Sequence, residues 1–244
     1  MDDSLKIAKV GDYELFYRDP EAYQHVLRAG MGYEPHVVRE LFRLLPSSPG
    51  FLDIGSNHGI YVAIAKMIMG PDYPVTAIEV NPANTALIIE SIKHNKWKNT
   101  YVASLGLWSK PGWKWGNTCW NATVYENKPD EVRYLCLPLD ALPIPEAHVV
   151  KLDCEGAELF ILRGMTQFIS ECHPVLLVEY SLGGLANNQL TGLDLLEFFP
   201  DHNYRLTVLD YKPGMRKEFI TPEAAVEHIA QFTTICDVMA TWHG

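Results

Sequence analysis

Residues 51–59 constrain the fold of this chain more than any other segment. They read FLDIGSNHG, an apolar run that ends in the pattern D-x-G-x-x-x-G. The apolar run predicts a short buried strand, and the glycines predict a sharp turn into a helix. Gly55 would let the backbone approach a ligand closely, and the N–H groups at the helix start could hold a carboxylate. We therefore expect a strand–loop–helix unit of an α/β fold, with a ligand at its loop.

Apolar runs and helical patterns alternate through the rest of the chain. Asn81 predicts a helix N-cap and Pro82 the first position of a helix that runs to about residue 96. The predicted strands are residues 51–54, 75–80, 101–105, 149–153 and 175–180, with a closing pair at 204–211 and 233–241. Because continuous apolar runs are typical of strands buried on both faces, we expect a doubly wound, mostly parallel sheet.

The first 50 residues precede this alternation. Residues 1–50 are predicted to form a lead-in that covers the ligand site, and residues 51–244 to form the main domain. The lead-in should contain a short strand at 13–17 and a helix at 37–45, which Pro46 would end.

One internal stretch also lacks a helical period. Residues 106–145 are rich in Trp, Gly and Pro and are predicted to form an insertion with a hairpin, its strands near 119–125 and 132–137. The insertion holds the tryptophans Trp108, Trp113, Trp115 and Trp120. They could form a satellite core or line a pocket for the substrate, and the sequence leaves both readings open.

Charge, cysteine content and hydropathy indicate which partners and which cellular compartment to expect. The formal net charge is -10, and such a surface disfavours nucleic acid and anionic membrane faces. The cysteine number, five, is odd, and the sequence has no C-x-x-C pair, so neither a disulfide framework nor a zinc site is expected. The N-terminus lacks the features of a signal peptide, and no apolar run is long enough to span a membrane. We expect a cytoplasmic protein; the oligomeric state is not predicted.

Glu79 follows the next apolar run and points to the type of ligand. A carboxylate at a strand end can accept hydrogen bonds from both hydroxyls of a ribose. The spacing around Gly55 lacks the G-x-G-x-x-G of dinucleotide folds, and Asp53 would repel a pyrophosphate. Asp53 suits a sulfonium ligand with an ammonium group instead. These features together predict S-adenosylmethionine as the cofactor.

The chain resembles the FkbM family of S-adenosylmethionine-dependent methyltransferases over roughly residues 33–210. The matching residues are Tyr33-Glu34-Pro35, the 53–59 loop, Glu79-Val80-Asn81-Pro82, Leu137-Pro138-Leu139-Asp140-Ala141-Leu142, the 151–158 block KLDCEGAE, Gly164 and the 174–179 run PVLLVE. The resemblance implies a Rossmann-like methyltransferase fold. It also implies methylation of a hydroxyl on a small molecule or glycan, with no nucleic acid or membrane as partner.

Ten residues are predicted to bind the cofactor. They are Glu34, Asp53, Gly55, Ser56, Asn57, Gly59, Glu79, Asn81, Ser104 and Asp153. Ser104 stands where many methyltransferases place an acid against the adenine amino group.

Three carboxylates are candidate general bases for the acceptor hydroxyl. Asp153 and Glu155 follow a central strand, and Glu179 lies in the next one, beside the expected cofactor crevice. Glu158 is expected to interact with a positive helix end rather than with substrate. His58 is expected to pack locally rather than act as a base.

A metal is possible at this cluster but not expected. Some related O-methyltransferases hold Mg²⁺ with carboxylates at these two strand ends, which here are Asp153 and Glu179. No third ligand is identifiable from the sequence, so no metal ligand is assigned.

Two other functions remain open at this point. An NAD-dependent oxidoreductase would need an unusual loop, because G-x-G-x-x-G is missing. A non-catalytic binding module would keep the fold but would be expected to lose the loop and the acidic cluster, both of which are intact.

Overall fold

A mixed eight-stranded sheet forms the centre of the protein in a computed structural model that describes residues 5–18, 33–119, 121–210 and 212–244. In chain order the described strands are β1 (Lys6–Val10), β2 (Tyr13–Tyr17), β3 (Phe51–Ile54), β4 (Val75–Glu79), β5 (Thr100–Ser104), β6 (Gly106–Leu107), β7 (Gly112–Gly116), β8 (Val124–Tyr125), β9 (Val132–Leu137), β10 (Val149–Leu152), β11 (Val175–Ser181), β12 (Tyr204–Val208), β13 (Lys217–Phe219) and β14 (Ile235–Trp242). The described α-helices are α1 (Pro35–Leu44), α2 (Ile60–Met69), α3 (Pro82–Asn95), α4 (Glu158–Leu162), α5 (Thr166–Cys172), α6 (Leu182–Asn187), α7 (Gly192–Leu196) and α8 (Pro222–Ala230). Short 3₁₀ turns lie at Leu45–Ser47, Leu139–Ala141 and Pro200–His202.

The order of strands creates a crevice at the middle of the sheet. The order is β13-β12-β14-β11-β10-β3-β4-β5, and the five strands from β11 to β5 are parallel. From β3 the chain winds outward through β4 and β5, then returns to the other side of β3 as β10. Ligands of open α/β sheets bind outside the carboxyl ends of the strands at such a reversal. The doubly wound, mostly parallel sheet predicted from the sequence is therefore confirmed.

Local signals account for the helix and strand boundaries. Asn81 caps α3 as predicted, because its Oδ1 accepts the N–H of Ala83 at 2.9 Å. The helix expected at 37–45 is α1, and the closing strands are β12 and β14, which pair antiparallel with each other. Tyr211, at the end of the predicted 204–211 strand, lies outside the described residues.

The predicted pairing inside the insertion is wrong. β9 occupies 132–137 as expected, but its antiparallel partner is β7. Of the described residues in the expected 119–125 strand, Val124–Tyr125 alone form a strand, β8. Asn117 explains the difference. Its Oδ1 accepts the N–H groups of Cys119 (3.2 Å) and Thr123 (3.3 Å), so a side-chain turn replaces strand pairing over this stretch.

The lead-in packs on the main domain through its hairpin and α1. In the β1–β2 hairpin, the N–H groups of Glu14 and Phe16 donate to Asn95 Oδ1 and Ser91 Oγ of α3, both at 3.0 Å. Leu15 of the hairpin and Leu41 of α1 are fully buried. Among the described helices, none is both long and apolar enough to cross a membrane.

Candidate active site

The glycine loop after β3 lies against the end of β10. Gly55 has φ +80°, and a Cβ at this position would lie 1.8 Å from the carbonyl oxygen of Asp153. Only glycine can occupy this position, because any side chain would displace the neighbouring strand end. The loop therefore lies tightly over the crevice at the middle of the sheet.

Glu79 is held rigidly at the end of β4. Its Oε2 accepts the N–H of Asn57 at 2.8 Å, and its Oε1 accepts the N–H of Asn81 at 2.7 Å. Burial raises the pKa of Glu79 to about 7, against the lowering effect of these hydrogen bonds. Hydrogen bonds from the Asn84 side chain and the Val80 backbone also lower this pKa, so several donors fix the direction of the carboxylate.

A narrow cavity lies beside Glu79. Its walls are mainly apolar, and Asn57 and Glu79 contribute polar atoms. The apolar lining residues include Ile54, Ile78, Val80, Leu105, Leu107, Ala122, Val124 and Ile161. Polar groups beside an apolar slot suit a ligand with a hydroxylated part and a flat ring.

A second cavity of about 350 Å³ lies on the other side of Asp153. The lead-in contributes Tyr33 and Glu34 to its lining, and β14 contributes Asp237. Both cavities are lined by Gly55, Asn57, Asn121, Asp153 and Glu155. The two spaces therefore meet at the end of β10.

Three carboxylates that the sequence analysis named as candidate bases converge at this junction. Oxygens of Asp153, Glu155 and Glu179 lie within 4.8 Å of one another. Asn121 of the insertion donates a side-chain hydrogen bond to Glu155, whose backbone has φ +54°. A positive φ is unfavourable for a glutamate, and such conformations concentrate at functional sites.

Burial opposes ionisation of two members of the cluster, Glu155 and Glu179. Burial, followed by the nearby charges of Asp153 and Glu155, raises the pKa of Glu179 well above its ordinary value. Burial and Asp153 also raise the pKa of Glu155. Oε2 of Glu179 is shielded from solvent and has no hydrogen-bond partner among the described residues. Oε2 of Glu179 is therefore free to accept a hydrogen bond from a ligand.

The same oxygens could hold a divalent cation. Mg²⁺ and Ca²⁺ prefer carboxylate oxygens, and three such groups within 4.8 Å of one another satisfy that chemistry. The sequence identified Asp153 and Glu179 as possible ligands, and the third group is Glu155.

A charged network behind the cluster was not predicted. Nζ of Lys151, in β10, lies 3.1 Å from Oδ2 of Asp153 and 3.1 Å from Oδ1 of Asp237. Nε2 of His36, in α1, lies 2.7 Å from Oδ2 of Asp237. The sequence did contain a signal for this network. Lys151 lies within an apolar strand, and a buried lysine needs buried partners of opposite charge.

The start of α1 brings Glu34 to the second cavity. Tyr61 of α2 donates a hydrogen bond to Glu34, and the Tyr33 ring packs edge-on against Tyr61 with 5.7 Å between centroids. Burial, with help from nearby Asp237, raises the pKa of Glu34 to about 7. Glu34 also has a positive φ, +38°. Tyr61 and Asp237 are further site residues that the sequence analysis missed.

Some residues predicted to bind the cofactor instead belong to the structure of the glycine loop at 53–59. Asp53 lines neither cavity, is 1% exposed, and both its carboxylate oxygens are buried without a hydrogen-bond partner among the described residues. Burial raises its pKa to about 7. Ser56 Oγ donates to the backbone carbonyl of Asp53 at 2.8 Å, and Gly59 is the N-cap of α2. Asn81 orients Glu79 as described above.

Other predicted residues lie farther from the junction. Ser104 ends β5 with an exposed side chain and lines neither cavity, so a contact with adenine stays a prediction. His58 is buried and lines the second cavity. Oε1 of Glu158 accepts the N–H groups of Cys154 (2.8 Å) and Gly156 (3.2 Å), which agrees with the structural role expected for it.

The described tryptophans of the insertion, Trp108, Trp113 and Trp115, line neither cavity. Trp108 is buried and stacks on Phe160 with 4.4 Å between ring centroids, so it belongs to the core. Trp113 is 64% exposed on β7. Trp115 is a neighbour on the same strand, and Trp120 lies outside the described residues. The sequence analysis left open whether the tryptophans line a substrate pocket, and none of the described ones lines either cavity.

Comparisons with solved structures agree with this fold. The chain is similar to methyltransferase FkbM from Methylobacillus flagellatus KT, with a TM-score of 0.52 and 17% identity over 92% of this chain and 55% of that one. It therefore spans about half the length of that protein. It is also similar to TYW2 of M. jannaschii in complex with AdoMet, with a TM-score of 0.50 and 13% identity over 98% of this chain and 85% of that one. No curated protein matches the chain.

A family model gives the more specific result. The model described as the methyltransferase FkbM domain matches residues 53–206, from the glycine loop through β12. The matched segment contains Glu79 and the carboxylate cluster, and it is more than half of the chain. The protein belongs to the FkbM family of S-adenosylmethionine-dependent methyltransferases.

Proposed function

We propose that the protein transfers the methyl group of S-adenosylmethionine to a hydroxyl of a small molecule or glycan. The observation that carries the proposal is the pair of cavities that meet at Asp153. One cavity has the polar and apolar groups that a nucleoside needs, and the other is large enough for an acceptor. A methyl group at the junction would face both.

The residues around the first cavity fit the cofactor. Glu79 would accept hydrogen bonds from the ribose hydroxyls, and the N–H groups at the start of α2 would hold the methionine carboxylate. Oδ1 of Asn57, which lines this cavity, is buried without a partner among the described residues, and a donor group of the bound cofactor would compensate it. Glu34 of the lead-in lines the second cavity and would meet the cofactor from that side.

The carboxylate cluster would serve the acceptor. S-adenosylmethionine, when bound, supplies an electrophilic methyl group on a sulfonium, which is a good leaving group. The protein then has to orient the acceptor hydroxyl and accept its proton at a carboxylate oxygen of Asp153, Glu155 or Glu179. Orientation can supply about 7–11 kcal/mol, and a general base roughly 10²–10⁴-fold in rate.

The negative charge of the second cavity supports a small molecule or glycan as the acceptor, in addition to the family membership. Glu34, Asp153, Glu155, Glu179 and Asp237 line the second cavity, and none of the described lysines and arginines does. Such a cavity repels a phosphodiester backbone, as does the net charge of -10. A neutral or cationic small molecule or glycan fits better than nucleic acid. A cytoplasmic setting is consistent with five cysteines, all free.

Isotope-labelled methyl transfer tests the proposal. The protein is incubated with methyl-labelled S-adenosylmethionine and metabolite or glycan extracts, and labelled products are identified by mass spectrometry. We expect a labelled methyl ether that forms only with the protein present. Label recovered only on nitrogen, carbon or nucleic acid would contradict the acceptor class, and no label in any extract would favour a non-catalytic binding module.

A further inference from the structure

We infer that Lys151 is a positioning residue that fixes the Asp153 carboxylate toward the methyl-transfer centre, with Asp237 and His36 holding the lysine in place. This inference rests on the proposed function and adds to it a residue that touches neither substrate nor cofactor.

Lys151 is sealed inside the protein. It is 0% exposed and lines neither cavity, because it lies within β10 between β3 and β11. A buried ammonium is tolerated only when carboxylates pair with it. Asp153 and Asp237 do so at 3.1 Å each, and the ring of Tyr61 lies below with its centroid 5.6 Å from Nζ.

The contact with Asp153 leaves that residue available for the reaction. Lys151 contacts Oδ2 of Asp153, while the Asp153 side chain lines both cavities. The lysine therefore sets the direction of the carboxylate without filling its remaining acceptor positions. Because Lys151 cannot reach a bound ligand, its influence on methyl transfer passes through the carboxylates that it contacts.

The other end of the network fixes Lys151. Asp237 of β14 binds Lys151 with Oδ1 and His36 of α1 with Oδ2 at 2.7 Å. Burial opposes ionisation of Asp237, but the charge of Lys151 and the contact with His36 lower its pKa overall, so this carboxylate stays ionised beside the lysine. The network thus connects the lead-in and the last strand to the centre of the site.

A double-mutant cycle tests the inference. Lys151→Met, Asp153→Asn and the double variant are compared with the wild type for single-turnover methyl transfer and for affinity toward S-adenosylhomocysteine. We expect Lys151→Met to slow transfer by about 10²-fold, the loss typical of a misplaced reacting group, with little change in affinity. In the Asp153→Asn background the same change should cause no further loss, because the two residues act as a unit.

A matched control separates positioning from general stability. Lys66 is also 0% exposed, but its Nζ donates to the backbone carbonyls of Pro71, Tyr73 and Lys98, away from both cavities. Lys66→Met should lower the melting temperature while leaving the single-turnover rate of the folded protein unchanged.

Two results would overturn the inference. One is a full transfer rate in Lys151→Met, and the other is a loss that multiplies with that of Asp153→Asn instead of disappearing. If Lys151→Met does not fold, His36→Gln takes its place, with a smaller loss expected that again disappears in the Asp153→Asn background. A wild type that transfers no methyl group would reject the proposed function itself, whereas independent losses in an active enzyme would reject only the role of Lys151.

Discussion

At the residue scale, Glu79 gives the most direct test of the cofactor site. Glu79→Ala should weaken S-adenosylhomocysteine binding by about 1.5–3 kcal/mol, because hydrogen bonds to a charged group are lost. Titration calorimetry measures this change. Glu158→Ala is the matched control, since Glu158 is also buried and holds loop N–H groups but lines neither cavity. Equal affinities for Glu79→Ala and the wild type would place the ribose elsewhere.

The carboxylate cluster has its own residue-scale test. Asp153→Asn or Glu155→Gln should slow methyl transfer by about 10²–10⁴-fold and weaken cofactor binding less. Chelators and added Mg²⁺ should leave the wild-type rate unchanged if the carboxylates act as bases, and a rate that depends on Mg²⁺ would make them metal ligands. If both variants keep the full single-turnover rate, Glu179 and His58 become the next candidates.

The raised pKa of Glu34 should make the stability of the folded protein fall as pH rises. Its pKa is raised from 4.5 to about 7, so between these values the folded protein binds a proton that the unfolded chain has released. This contribution to stability is present below pH of about 4.5 and is lost as pH rises through about 7. Melting temperatures of the cofactor-free protein should show a shallower fall over this range in Glu34→Gln than in the wild type. Parallel pH profiles would mean that Glu34 titrates normally.

At the element scale, the parts of the fold that depend on local sequence were predictable. Strands β3, β4, β10 and β11 are short apolar runs, and α3 begins at a capped Asn-Pro pair, so neighbouring residues determine them. The pairing of β7 with β9 was not predictable. It depends on Asn117 replacing a strand with a side-chain turn, and periodicity does not report that choice.

The residues of the candidate site also fall into those that the sequence pattern reveals and those that it does not. Glu79 and Asp153 follow apolar runs at strand ends, a position that the sequence pattern alone reveals. Lys151, Asp237 and His36 meet only because β14 pairs beside β11 and α1 folds over the sheet. Contacts between residues this far apart in the chain depend on strand order and register, which one sequence does not specify.

The insertion supplies the element-scale prediction. Asn121 lines both cavities and donates a hydrogen bond to Glu155, so Asn121→Ala should slow single-turnover methyl transfer by about tenfold. Trp113→Ala is the control in the same insertion, because Trp113 is exposed and lines neither cavity. Equal rates for the two variants would show that the insertion does not act on the cluster through Asn121.

At the scale of the whole molecule, distant segments meet around the ligand cavities. The lead-in contributes Glu34, the insertion Asn121, the central sheet Asp153 and the last strand Asp237. A ligand that contacts these segments only in the folded state must stabilise the fold as a whole.

Thermal unfolding in the presence of S-adenosylhomocysteine or NAD⁺ tests which cofactor the protein binds. At 100 times its Kd, S-adenosylhomocysteine should add about 2.7 kcal/mol of stability. For a domain of this size that corresponds to a rise in Tm of about 5–10 °C. NAD⁺ should cause no rise, because Asp53 and the absence of the G-x-G-x-x-G spacing disfavour a pyrophosphate at the loop. The reverse result, stabilisation by NAD⁺ and none by S-adenosylhomocysteine, would favour an oxidoreductase over a methyltransferase.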